Sequence, residues 1–149
     1  MIWVISLNNS LGHIYFYEQH TLTLLESLKN PSAQLKNSDL ISDGPGHYQT
    51  AHSAKGTYEA ANSPRDVELD HFTKNLANLL KKGLDNHQYK QLILCAPPHV
   101  GGVLLSNLDK QVAQSILINI KKNFVESDPP LLASYLKKNW WDIIHSNKP

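Results

Sequence analysis

Two-metal phosphoryl chemistry needs several carboxylates converging at strand ends, because clustered anionic oxygens are what hold two divalent cations about 4 Å apart. The apolar runs of this sequence that read as strands carry almost none. The first ends in Ser6 and Asn8, and neither Leu92–Ala96 nor Ile116–Ile120 contains an acid, so a two-metal nuclease is disfavoured. Eight histidines invite another metal reading, but no His-x-x-x-His or Glu-paired helix motif occurs and cysteines are too few for a structural zinc site. His47 and His52, five apart in a Gly-rich stretch, read as solvated loop histidines. No metal site is expected.

Cys95 and His99 stand on either side of Pro97-Pro98, and a Cys–His pair can make a nucleophile. Cys95 also closes an apolar run, where an unactivated thiol packs as a small hydrophobe, and that reading is preferred. Gly101-Gly102 belong to no dinucleotide fingerprint and are read as allowing a helix to pack closely. No cofactor is called for, and no catalytic residue is assigned.

These side chains must be carried by elements. Trp3–Leu7 is apolar on both faces, as in a strand covered from both sides, and Ile14–Tyr17 is aromatic and β-branched. Leu22, Leu24 and Leu28 fall on alternate positions of a half-exposed third strand. Residues 30–64 hold Pro31, Pro45, Pro64, Gly44, Gly46 and Gly56 with no sustained periodicity. Within them Ser42–Ser63 reads as a long mobile loop, of the kind usually functional.

A helix follows. Ser63 is placed as its cap, Pro64 as its first residue, Asp66 and Glu68 in its first turn, and Leu69, Phe72, Leu76 and Leu79 on one face, with Gly83 as its stop. After the fourth strand, Leu92–Ala96, a helical stretch runs from His99 through Leu108. Ile116–Ile120 is the fifth strand, and Asp128-Pro129 opens a last helix with Leu132, Leu136, Trp140 and Ile143 on one side. The order β-β-β-α-β-α-β-α implies an α/β, ribonuclease H-like fold over residues 1–149 as one domain. Its five-stranded mixed sheet would join a three-strand antiparallel meander to two parallel strands, with helices on both faces. Trp3–Leu7, Leu92–Cys95 and Ile116–Ile120 are expected among the inner strands.

The chain has 149 residues, 41% hydrophobic and 18% charged, with a net charge of +1. Binding of extended duplex DNA is disfavoured by that balance, although one face could still meet RNA. With one cysteine there is no internal disulfide. No apolar run reaches the roughly 20 residues needed to span a bilayer, and no leader pattern opens the chain. A cytoplasmic protein without membrane contact is expected. Lys121-Lys122 and Lys137-Lys138 make the C-terminal third locally basic.

Several segments, in order, carry a resemblance. Asn30-Pro31, Leu35-Lys36, Asp39-Leu40 and Ser42-Asp43-Gly44-Pro45-Gly46 resemble a loop that usually reads Asp-Arg-Pro-Gly-Arg. Phe72 with Leu76, Leu92 through Pro98 and Gly102 through Leu108 resemble a strand-Ala-Pro-Pro-helix element, and Ile120-Lys121-Lys122-Asn123-Phe124 resembles a closing Lys-Asp-Leu segment. Together they are similar to the bacterial host-attachment protein family over nearly the whole chain. Gly44 and His47 stand where that loop usually has arginines, and Asn123 where an aspartate follows the lysine.

The family's fold is similar to the middle domain of archaeal and eukaryotic class-1 release factors. There a Gly-Gly-Gln loop enters the peptidyl-transferase centre and its glutamine positions water. The corresponding loop here contains Gly44-Pro45-Gly46-His47-Tyr48-Gln49 and no Gly-Gly-Gln. The resemblance implies a domain associated with the ribosome or tRNA, with or without residual peptidyl-tRNA hydrolase activity. The alternative is a non-catalytic interaction domain that influences attachment. Loop residues Asp43, Gly44, Gly46, His47 and Gln49, and the basic pair Lys121 and Lys122, are the candidate binding residues. Trp141 lies about 100° round from the buried stripe of the last helix. It either folds over the edge of its own sheet or forms a homodimer or partner contact rimmed by Lys137 and Lys138.

Overall fold

The computed structural model describes residues 1–31 and 64–145. In chain order these form β1 (Ile2–Leu7), β2 (Leu11–Glu18), β3 (Thr21–Lys29), α1 (Pro64–Asp85), β4 (Gln91–Cys95), α2 (Pro98–Asn107), α3 (Lys110–Gln114), β5 (Ile116–Ile120), α4 (Pro129–Lys138) and α5 (Trp140–His145). The strands lie in the order β3-β2-β1-β4-β5. β1, β2 and β3 pair antiparallel, whereas β1–β4 and β4–β5 are parallel. This is the ribonuclease H-like arrangement expected of a meander followed by helical crossovers.

Alternation along β1 divides the core into two layers. Trp3, Ile5 and Leu7 face a cluster completed by Leu69, Phe72, Leu76 and Leu80 of α1, Val100 and Leu104 of α2, and Val112 of α3. Val4 faces the other way, into a cluster with Tyr15, Tyr17, Ile93 and Cys95 under Leu132 and Leu136 of α4 and Ile143 of α5. Helices thus cover both faces, which is why β1 and β4 are apolar throughout.

β5 is an edge strand, contrary to the inner position expected of Ile116–Ile120. Its Leu117 and Ile120 are buried beneath the α4–α5 layer and Ile116 packs against the opposite cluster. The apolar run therefore reports cover on both faces and carries no information about a strand neighbour. In β3 a register shift sets Ile14 against Glu26 but Tyr15 against Leu24, leaving Leu25 unpaired as a bulge. The bulge reverses the alternation, so Leu22 joins the α4 side and Leu28 the α1 side rather than sharing one face.

Gly83 does not stop α1, which continues to Asp85. The amide of Gln88 donates to the Gly83 carbonyl at 2.9 Å and that of His87 to Leu84 at 3.0 Å, a Schellman ending with His87 in the left-handed region at φ 58°. Gly83 is needed instead for close approach. A Cβ there would lie 2.6 Å from Cη2 of Trp3, whose ring also packs on Tyr89 at 4.7 Å between centroids. Gly101 meets Ala96 and Asn119 at ordinary distances and Gly102 has nothing within 4 Å, so close packing explains neither as strictly as it does Gly83. Asp109 Oδ2 accepts the Gln111 amide at 3.0 Å and starts α3 as a separate helix. Asn139, which ends α4 and donates its side-chain amide to the Tyr135 carbonyl at 2.8 Å, separates α4 from α5.

Candidate functional site

Parallel β1, β4 and β5 end on one edge of the sheet, the edge where open α/β sheets place their ligands. The β1–β2 turn and the end of β3 lie there too, because β2 and β3 run down and back. Asn8 shapes the turn: its Oδ1 accepts the amides of Ser10 and Leu11, both at 2.8 Å. Asn30 then latches β3 to it, donating from its side-chain amide to the Asn9 carbonyl at 2.9 Å and from its backbone amide to that of Ser10 at 2.8 Å. From this latch the chain departs toward residues 32–63.

Just inside this edge a row of chemistry-bearing side chains crosses four strands. Ser27 pairs with His13, His13 with Ser6, and Ser6 with Cys95. His13 Nδ1 lies 2.9 Å from the Ser27 hydroxyl, and partial burial lowers the imidazole's pKa, favouring its neutral form. Burial pushes the Cys95 thiol up to about 12, so it is a thiol at neutral pH. His99 is exposed on α2, on the opposite side of the sheet from Cys95. The two make no nucleophile pair, and Cys95 packs as the small hydrophobe expected. The row offers neutral hydrogen-bonding groups and no activated nucleophile.

Three buried side-chain oxygens among the described residues lack a hydrogen-bond partner: Ser6 Oγ, Asn30 Oδ1 and Asn119 Oδ1. Each such atom costs about 1–3 kcal/mol, and all three lie toward this one edge. They do not converge. Asn119 sits beneath Gly101 of α2, and Ser6 is on the α4 side with Cys95. Among the described residues no group of three or more His, Cys, Asp or Glu side chains could hold a metal ion.

Beyond β5 the same edge becomes basic and aromatic. Lys121 and Lys122 are exposed, and Lys122 Nζ stands 5.0 Å from the centroid of the Tyr135 ring, a cation–π contact. Phe124 packs on the same ring at 5.0 Å. Asn123 Oδ1 accepts the Val125 amide at 3.0 Å, a bond an aspartate would also make, so this residue keeps the turn while omitting a negative charge.

Asp43, Gly44, Gly46, His47 and Gln49, with the rest of the Ser42–Ser63 segment and its histidines, lie outside the described residues. Trp141 is 68% exposed and, among the described residues, stacks on His145, with ring centroids 4.0 Å apart. It does not fold over the sheet, because Trp140 takes that place, its ring 5.5 Å from that of Tyr17. Sequence reading also missed a groove between the β2–β3 turn and α4. Its one sequence signal was a two-residue connection, Gln19-His20, without the glycine such turns favour. No helix among the described residues is long and apolar enough to cross a membrane.

A family model described as "Protein required for attachment to host cells" matches residues 3–136. None of the curated proteins matches the chain in sequence. Among solved structures, one described as "Archaeal protein" superposes with a TM-score of 0.52 at 12% identity, over 98% of this chain and 36% of that one. Dom34 of S. cerevisiae, described as a translation termination-like factor involved in RNA quality control pathways and interacting with Hbs1, gives a TM-score of 0.47 at 14% identity, over 95% of this chain and 36% of that one. The chain thus spans about a third of the length of either structure, and the archaeal likeness shows the fold alone.

Proposed function

We propose that this chain, which belongs to the family of proteins required for attachment to host cells, acts as a release-factor-like domain that associates with the ribosome or tRNA through the carboxyl edge of its sheet. The observation that carries this reading is the basic and aromatic cluster of Lys121, Lys122, Phe124 and Tyr135 on that edge. Lysines meet phosphates while aromatic faces take unstacked bases, the combination by which proteins bind single-stranded and looped RNA. The function is binding, and no reaction step is assigned to the neutral row behind it.

Sedimentation of the protein with purified ribosomes, and separately with tRNA, through a sucrose gradient tests the proposal. Co-migration that weakens with salt, and that Lys121→Glu with Lys122→Glu abolishes, is the expected result. Wild-type protein remaining at the top of the gradient in both mixtures overturns it. Exposed Trp141 favours a second reading, a non-catalytic protein-interaction domain that influences attachment, and that reading gains if the gradient shows no association.

A further inference from the structure

At the opposite end of the sheet from the carboxyl edge, the β2–β3 turn and α4 enclose an open groove of about 370 Å³, at the small end of ligand-binding cavities. Leu22, Pro129 and Pro130 give it apolar walls, while His20, Thr21, Ser134 and Lys137 supply its polar groups. Among the described residues no carboxylate lines it and Lys137 forms no ion pair. The acids nearest in sequence, Glu18 and Asp128, are exposed and outside its lining.

The turn that presents His20 is kept under strain. Gln19 and His20 both take positive φ, 52° and 60°, where glycine or asparagine would sit at ease. Non-glycine residues held in such conformations concentrate at functional sites. His20 is further fixed by its Nδ1, 3.0 Å from the Tyr17 hydroxyl, while the Tyr17 ring packs on Trp140. One ring nitrogen is thereby engaged, leaving Nε2 for a ligand. The Thr21 hydroxyl donates within the turn, to the Gln19 carbonyl at 3.4 Å, but a cation, an oriented imidazole and the Ser134 hydroxyl make an anion-binding set. The adjoining proline faces suit a flat, weakly polar body.

We propose that this groove binds a phosphomonoester attached to a flat, weakly polar body, the class to which nucleoside monophosphates belong. The phosphate meets Lys137, His20 Nε2 and the hydroxyl of Ser134, and the body lies along Pro129 and Pro130.

Titration calorimetry of the full chain with AMP, adenosine and inorganic phosphate tests it. AMP should bind more tightly than either fragment. Lys137→Ala should weaken AMP by about tenfold, the loss of one charge-assisted hydrogen bond. His20→Gly should weaken it similarly while raising the melting temperature, because glycine relaxes the turn. Thermal melts of the same variants establish that each is folded. The proposal is overturned if wild type does not bind AMP, if adenosine binds as tightly as AMP, or if both substitutions leave the affinity unchanged.

Discussion

Replacing Gly83 with alanine adds one methyl group to the last turn of α1, where the helix meets Trp3 of β1. On an open helix this change stabilises by about 0.5–1 kcal/mol, because glycine loses more backbone freedom on folding. Here the new carbon would stand 2.6 Å from Cη2 and 2.8 Å from Cζ3 of Trp3, and 3.2 Å from Cε2 of Tyr89. Carbon pairs are comfortable at about 3.5–4.0 Å, so the indole must retreat by about 1 Å. It has little room: Trp3 is buried against Tyr89, whose hydroxyl donates to the Leu80 carbonyl at 2.6 Å. Overpacking of this kind costs about 1–3 kcal/mol. The helix gain offsets part of that, leaving a net loss of about 1 kcal/mol and at most about 2.5 kcal/mol. Urea denaturation should show a lower midpoint with an unchanged slope. Gly102→Ala is the internal control: Gly102 is exposed, nothing lies within 4 Å of its Cβ position, and alanine should there raise stability by about 0.5–1 kcal/mol. If Gly83→Ala proves as stabilising as Gly102→Ala, the packing argument fails.

His87→Gly should raise stability by about 0.5–1 kcal/mol in the same urea assay, since glycine adopts φ 58° without the Cβ clash. Cys95, with its thiol held up to about 12 by burial, should resist iodoacetamide at pH 8 in the native state and react once the protein is unfolded in urea; rapid native labelling contradicts its burial. Alanine at Gly44, Gly46 or Gln49 should leave the melting temperature nearly unchanged while abolishing ribosome or tRNA association, and parallel loss of both would make that segment structural. If Trp141 mediates a homodimer, sedimentation at rising concentration should show Trp141→Ala staying monomeric while wild type associates; a wild type that stays monomeric excludes the homodimer.

Elements whose burial is set by their own residues could be read directly from the chain. β1 and β4 are apolar on both faces because helices lie on both sides, and α1 repeats Leu69, Phe72 and Leu76 because one stripe meets the sheet. Features set by distant partners could not. Gly83 looks like a helix stop until Trp3, eighty positions earlier, is placed against it. The parity of Leu22, Leu24 and Leu28 depends on a bulge fixed by pairing with β2, which local alternation does not encode. The basic pair Lys121-Lys122 was visible, but Tyr135 as its platform became apparent only when α4 was laid across the sheet. The orphaned oxygens of Ser6 and Asn119 were equally hidden, because an unmet hydrogen bond is a property of the packed state.

The pairing of β1 with β4 has a consequence for the order of folding. The hairpins β1–β2 and β2–β3 join residues close in the chain, so the meander can form while later residues are still being synthesised. Ile2 must wait for Gln91 before the parallel half of the sheet exists, and closing so long a loop adds entropic cost before any contact rewards it. Until α1 and β4 arrive, the α1-side face of β1 has no cover and its second edge no partner. A nascent chain paused before β4 therefore exposes an adhesive strand, and slow elongation between α1 and β4 should increase its dependence on chaperones.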